Sequence, residues 1–61
     1  MYPNLQAEQA RQGMTNMQVA DKLGITRPTY ENKKKTGRFT VEECKRLCKM
    51  FNSSFDYLFD T

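Results

Sequence analysis

Thr15-Asn16-Met17-Gln18-Val19-Ala20-Asp21-Lys22-Leu23-Gly24-Ile25-Thr26-Arg27-Pro28-Thr29-Tyr30 is the stretch on which the fold turns. Thr15 followed three residues later by Gln18 makes a capping box. The threonine hydroxyl accepts from a free first-turn amide, and the glutamine side chain reaches back to the threonine amide. A helix therefore opens at Thr15, presents Val19, Ala20 and Leu23 as its apolar face, and closes at Gly24. Glycine suits that closure because the left-handed backbone it requires is costly for any residue with a Cβ. Only Ile25 separates this glycine from Thr26, a second good N-cap. Pro28, two residues on, has no amide hydrogen to lose, which is harmless in a first helical turn. A further helix is thus predicted from about Thr26 to Lys34 or Lys35. Two short helices joined by so tight a glycine turn make a helix-turn-helix.

Working outward, Pro3 suits the first turn of an earlier helix that carries Leu5, Ala7 and Ala10 and stops at Gly13. On the other side, Thr40-Val41-Glu42-Glu43 is a second capping box, with two acids near the positive end of the helix dipole. Val41, Cys44, Leu47, Cys48 and Phe51 recur at three-to-four spacing, the stripe of a helix packed on a core. Asn52 and Ser53 break the chain, and Ser54 caps a last short helix, Phe55 to Phe59. No segment shows the alternation of a strand. The expected fold is all-α: one compact five-helix domain, residues 1–61, containing the helix-turn-helix. Sixty-one residues leave room for one small core and none for a separate active-site cleft.

The formal charge of +3 and a pI near 9.1 fit either a polyanionic partner or a merely solvated surface. No apolar run is long enough to span a membrane, and Met1-Tyr2-Pro3-Asn4 lacks the layout of a signal peptide, so a cytoplasmic location is expected. Cys44 and Cys48 sit on consecutive turns of one helix face, a poor geometry for bridging, and read as reduced core thiols. With no His and two Cys, the chain offers no zinc set, and no other metal or cofactor is implied. It has no nucleophile elbow and no phosphate-cradling glycine loop, so an enzyme is not expected. Asp56 and Asp60, four apart on the last helix, are a surface carboxylate pair without a cleft.

In register, Asn4-Leu5, Gly13-Met14-Thr15, Val19 to Tyr30, Thr40-Val41-Glu42-Glu43 and Ser54-Phe55-Asp56-Tyr57-Leu58-Phe59 resemble the Cro/CI-type (XRE-like) helix-turn-helix regulators of bacteria and their phages. The resemblance covers nearly the whole chain and implies a lambda-repressor-like DNA-binding domain. Three positions depart from the family pattern. Lys33 stands where an apolar residue is usual, so the third helix is expected to be weakly anchored, helped by lysine stems and by Phe39. Gln9 and Lys34 occupy the places of a common arginine–glutamate pair. Asn16 replaces a glutamine at the start of the second helix, a shorter amide that can still reach a phosphate.

The resemblance implies a double-stranded DNA operator as partner, with the helix that starts near Thr26 lying in the major groove. Arg27 is then the expected reader of guanine and Asn32 of adenine, with Pro28 and Thr29 against a thymine methyl and Glu31 on the following turn. Asn16, Thr26, Lys33, Lys34, Lys35 and Arg38 are the expected phosphate contacts. From Arg27 to Arg38 there are five basic residues and one acid, a local +4 against +3 for the whole chain, so the surplus is concentrated at this edge. Phe51, Phe55 and Leu58 are expected to close the core, and Tyr57 and Phe59 to form a homodimer seam. The chain stops directly after its fifth helix, the layout expected of a Cro-like phage regulator or of a minimal repressor controlled by its own abundance, with repression by occlusion. The competing expectation is a protein-interaction module, an antitoxin or anti-repressor, that keeps the scaffold and binds through its aromatic tail.

Overall fold

Every helix after the first begins on a hydroxyl cap. In the computed structural model, which describes residues 1–61, α1 (Pro3–Arg11), α2 (Asn16–Leu23), α3 (Arg27–Thr36), α4 (Val41–Met50) and α5 (Phe55–Leu58) follow one another with no strand. Both capping boxes form. Thr15 Oγ1 accepts from the Gln18 amide at 3.1 Å while Gln18 Oε1 accepts from the Thr15 amide at 2.9 Å. Thr40 and Glu43 repeat the exchange at 3.1 and 2.9 Å. Thr26 and Ser54 cap α3 and α5 by accepting from Thr29 and Tyr57 amides, each at 3.3 Å. Such caps contribute typically about 1 kcal/mol each, a large share of what short helices lack on their own.

The α2–α3 connection is Gly24, Ile25 and Thr26. Gly24 is left-handed (φ 75°), and the amides of Gly24 and Ile25 return to Asp21 and Ala20 carbonyls. That bonding folds α3 back onto α2, its principal packing partner. Ala20 is buried in the same core, and its small side chain suits a close approach of two backbones.

All five helices supply the core: Leu5 from α1; Val19, Ala20 and Leu23 from α2; Tyr30 from α3; Leu47 from α4, with Phe51 just past its end; and Leu58 from α5. A second layer of rings covers one side of it. Tyr2 and Phe39 each meet Phe59, with centroids 5.2 and 5.8 Å apart, and Phe39 reaches Tyr30 at 6.0 Å. Asn4 Nδ2 donates to the Tyr57 carbonyl at 2.9 Å, tying the first helix to the last. No helix is long and apolar enough to cross a membrane.

Several expectations change here. Ala7 and Ala10 face solvent, while α1 buries Glu8 and Gln9 beside Leu5. Val41 is 73% exposed, because it lies in the capping turn of α4, beyond the reach of the core. Phe55 is 58% exposed, and Phe59 instead turns into the ring cluster. The last helix ends at Leu58, and the third runs on to Thr36. Cys44 and Cys48 are free and half-buried, and burial pushes both thiols above their ordinary range.

Candidate nucleic-acid interface

Consecutive residues of an α-helix are turned by about 100°, so α3 sorts its side chains by direction. Tyr30 points into the core and is fully buried. Pro28, Asn32 and Lys35, spaced i, i+4, i+7, form an exposed stripe on the opposite side, flanked by Arg27 and Thr29. Thr26, the N-cap, shares a 2.8 Å hydrogen bond between its hydroxyl and that of Thr29. The candidate base-reading residues Arg27, Pro28, Thr29 and Asn32 are therefore all exposed on the first two turns of one helix.

The lysine triplet is divided by the same rotation. Lys33 turns towards α4: its Nζ lies 3.0 Å from Glu43 Oε1 and also donates to the Arg38 carbonyl at 3.3 Å. Its side chain is 18% exposed, so it bolts α3 to the capping box of α4 and is not free to clamp a phosphate. Lys34 turns towards α1 and α2. Its Nζ donates to Gln6 Oε1 and Asn16 Oδ1, both at 2.8 Å, and lies 4.7 Å over the Tyr30 ring. Burial lowers its pKa, against the opposing pull of Glu31. Lys35 and Arg38 alone of this basic group stay exposed with no ion pair or side-chain hydrogen bond. The helix that was expected to be weakly anchored is thus held by two of its own lysines and by the Phe39 ring against Tyr30.

Gln9 and Lys34 both join a polar network centred on Asn16. The buried Tyr30 hydroxyl donates to Gln9 Oε1 at 2.8 Å, and Gln9 Nε2 donates to Asn16 Oδ1 at 2.8 Å. Asn16 Nδ2 in turn donates to Glu31 Oε2 at 3.0 Å, and Arg27 reaches the same oxygen at 3.2 Å. The hydrogen bond from Asn16 and the Arg27 charge hold the Glu31 carboxyl below its ordinary range. Asn16, Glu31, Lys34 and Lys35 meet Met1, Pro3 and Gln6 around one surface depression of about 550 Å³.

No family model, no curated protein and no solved structure matches the chain.

Of the ten DNA-contact candidates, the structure brings Pro28, Asn32 and Lys35 onto one exposed stripe of α3, with Arg27 and Thr29 exposed about 100° to either side of Pro28, Thr26 at the cap and Arg38 in the loop that follows. Asn16 is half-buried and hydrogen-bonded within the chain. Lys33 and Lys34 belong to the packing. Tyr57 is 39% exposed, and its hydroxyl donates to Glu8 Oε2 at 3.0 Å. Phe59 is enclosed by Tyr2, Phe39 and Phe55 and offers little to a twin subunit. The apolar surface left open is a groove lined by Phe39, Val41, Cys44, Cys48 and Phe55. Sequence reasoning missed Glu31 as a partner of Arg27, although their i, i+4 spacing with opposite charges was a usable signal.

Proposed function

We propose that this chain is a sequence-specific double-stranded DNA-binding regulator of the Cro/CI type, in which α2 and α3 are the helix-turn-helix and α3 enters the major groove. The observation that carries this reading is the division of labour on α3. Its inward and lateral side chains, Tyr30, Lys33 and Lys34, fix the helix to its neighbours. Its exposed side chains Arg27, Pro28, Thr29 and Asn32 stand on the first two turns, where groove-reading helices carry their base contacts, with Lys35 exposed beyond them. Arg27 then reads a guanine edge, Asn32 an adenine, and Pro28 and Thr29 lie against a thymine methyl. Lys35 and Arg38 are the phosphate contacts with free charge, and Lys34 can add its third N–H after giving two to the protein.

One domain of this size covers little groove, so the operator-bound form is taken to be a homodimer on two half-sites about one helical turn apart. Its seam draws on Tyr57 and on the exposed Val41 and Phe55, in place of Phe59. The same groove supports the second reading, a protein-interaction module, since exposed Val41 and Phe55 frame an apolar surface that the monomer leaves uncovered.

Selection from a randomised duplex pool at about physiological salt tests the proposal. Enrichment of a palindrome is expected. Arg27→Ala should relax preference at one base pair, whereas Lys35→Ala should weaken all sequences alike and reduce the salt slope by about 1. A folded protein that enriches no sequence would overturn the reading and favour the interaction module.

A further inference from the structure

We infer that Glu31 is a positioning residue that holds Arg27 for base reading and so sets the selectivity of α3. The inference rests on the reading of α3 as the DNA-contacting helix and adds to it a residue that touches no base. A single carboxylate oxygen, Glu31 Oε2, accepts from Arg27 at 3.2 Å and from Asn16 Nδ2 at 3.0 Å. Asn16 is itself fixed by Gln9 and Lys34, and Gln9 by the fully buried Tyr30 hydroxyl. Four hydrogen bonds thus run without a gap from the core to the guanidinium of an otherwise exposed arginine.

The physical effect has two parts. A guanine edge is read by two parallel N–H donors, so the guanidinium plane must be aimed before contact is productive. Arginine has five N–H donors; giving one to Glu31 restricts the side chain and leaves enough for a bidentate contact. The carboxylate also places a negative charge within the cationic face, where it repels phosphate when no base contact compensates. Glu31 therefore raises specific binding through Arg27 and lowers non-specific binding through charge, and selectivity is the difference between the two.

The test compares the wild-type chain with Glu31→Gln, Glu31→Ala, Arg27→Ala and the Arg27→Ala/Glu31→Ala pair. Each is measured by competition binding on the operator chosen by selection, on its single-base variants and on random duplex, with a thermal melt beside it. Glu31→Ala should lose roughly three- to tenfold discrimination, confined to the base pair that Arg27 reads, while binding random duplex more tightly. Glu31→Gln keeps a neutral acceptor of the same shape and should retain more discrimination at the same gain in non-specific affinity. In the Arg27→Ala background, removing Glu31 should leave base preference unchanged, because the group it aims is gone. Unaltered discrimination in Glu31→Ala, or an equal loss with and without Arg27, would overturn the inference while leaving α3 a DNA reader. A fall in melting temperature with uniformly weaker binding would do the same, as the mark of a structural role. A wild-type chain that selects no sequence would remove the parent reading and this one together.

Discussion

Replacing Lys33 tests the least expected packing contact in the fold. Its Nζ lies 3.0 Å from Glu43 Oε1, and the two side chains are only 18% and 12% exposed. Removing one member of a fully buried pair costs about 3–5 kcal/mol, and an exposed pair contributes about 0–1 kcal/mol. This pair lies between those limits, and Glu43 keeps the Thr40 amide at 2.9 Å and the N-terminal end of α4 as compensation. Lys33→Ala should therefore cost about 2 kcal/mol, and Lys33→Met, which keeps an unbranched stem in place, about 1 kcal/mol. In a domain this small, 2 kcal/mol lowers Tm by roughly 15 °C. A double-mutant cycle with Glu43→Gln should show a coupling of at least about 1 kcal/mol at neutral pH. Burial works to raise the Glu43 pKa, but the Thr40 amide and the Lys33 ammonium outweigh it and hold the carboxyl below its ordinary value of 4.5. A depressed folded pKa means that the stabilisation is present above 4.5 and is lost as pH falls through the folded value, so the coupling should fade in acid. Denaturant titrations of the four cycle members at about pH 7 and about pH 2.5 measure both effects. Additive single mutants at neutral pH, or a coupling that persists undiminished in acid, would refute the argument.

Gly24 and Gly37 share a φ of 75°, but a Cβ at Gly24 meets open space, whereas at Gly37 it falls 2.8 Å from the Tyr2 hydroxyl and 2.9 Å from Met1 Sδ. Gly24→Ala should lose about 1 kcal/mol from backbone strain alone. Gly37→Ala should lose distinctly more, because Tyr2 is held between Phe39 and Phe59; equal melting shifts would show that Tyr2 yields freely. Burial pushes the Tyr30 hydroxyl above its ordinary value of 10.0, so its contribution to stability is full below that pH and lost as pH rises above it. Tyr30→Phe should flatten this alkaline decline while costing about 1–3 kcal/mol at neutral pH, since Gln9 Oε1 loses its buried donor. Denaturation of both chains across pH 7 to about 11 reads the two effects separately.

Local chemistry made the helix boundaries legible. A threonine with a glutamine or glutamate three residues on describes a closed exchange of hydrogen bonds, and both boxes form with the partners that their spacing implies. The interior was less legible wherever a choice depended on a distant element. Phe55 and Phe59 stand four apart, so helical periodicity puts both on one face of a helix only one turn long. What decides between them is the arrival of Tyr2 and Phe39 beside Phe59, from residues more than a dozen positions away in sequence. Glu8 and Gln9 are buried in preference to Ala7 and Ala10 for a similar reason, since Tyr57 and Tyr30 present hydroxyls that need acceptors. A hydrophobic count along α1 has no means of seeing those donors.

The lysine triplet shows how much a linear count of charge can mislead. Three adjacent cations read along the chain as one clamp, yet successive positions on a helix point about 100° apart, and here each lysine meets different neighbours. Lys33 satisfies the capping glutamate of α4, Lys34 satisfies the amides of α1 and α2, and Lys35 is left for solvent. The local +4 thus includes two charges engaged in holding the fold and one, Arg27, engaged with Glu31. Only Lys35 and Arg38 remain without a partner in the chain. On the proposed reading of α3, the salt dependence of DNA binding should reflect few free cations per chain, and selectivity should depend on how Arg27 is held more than on the local basic surplus.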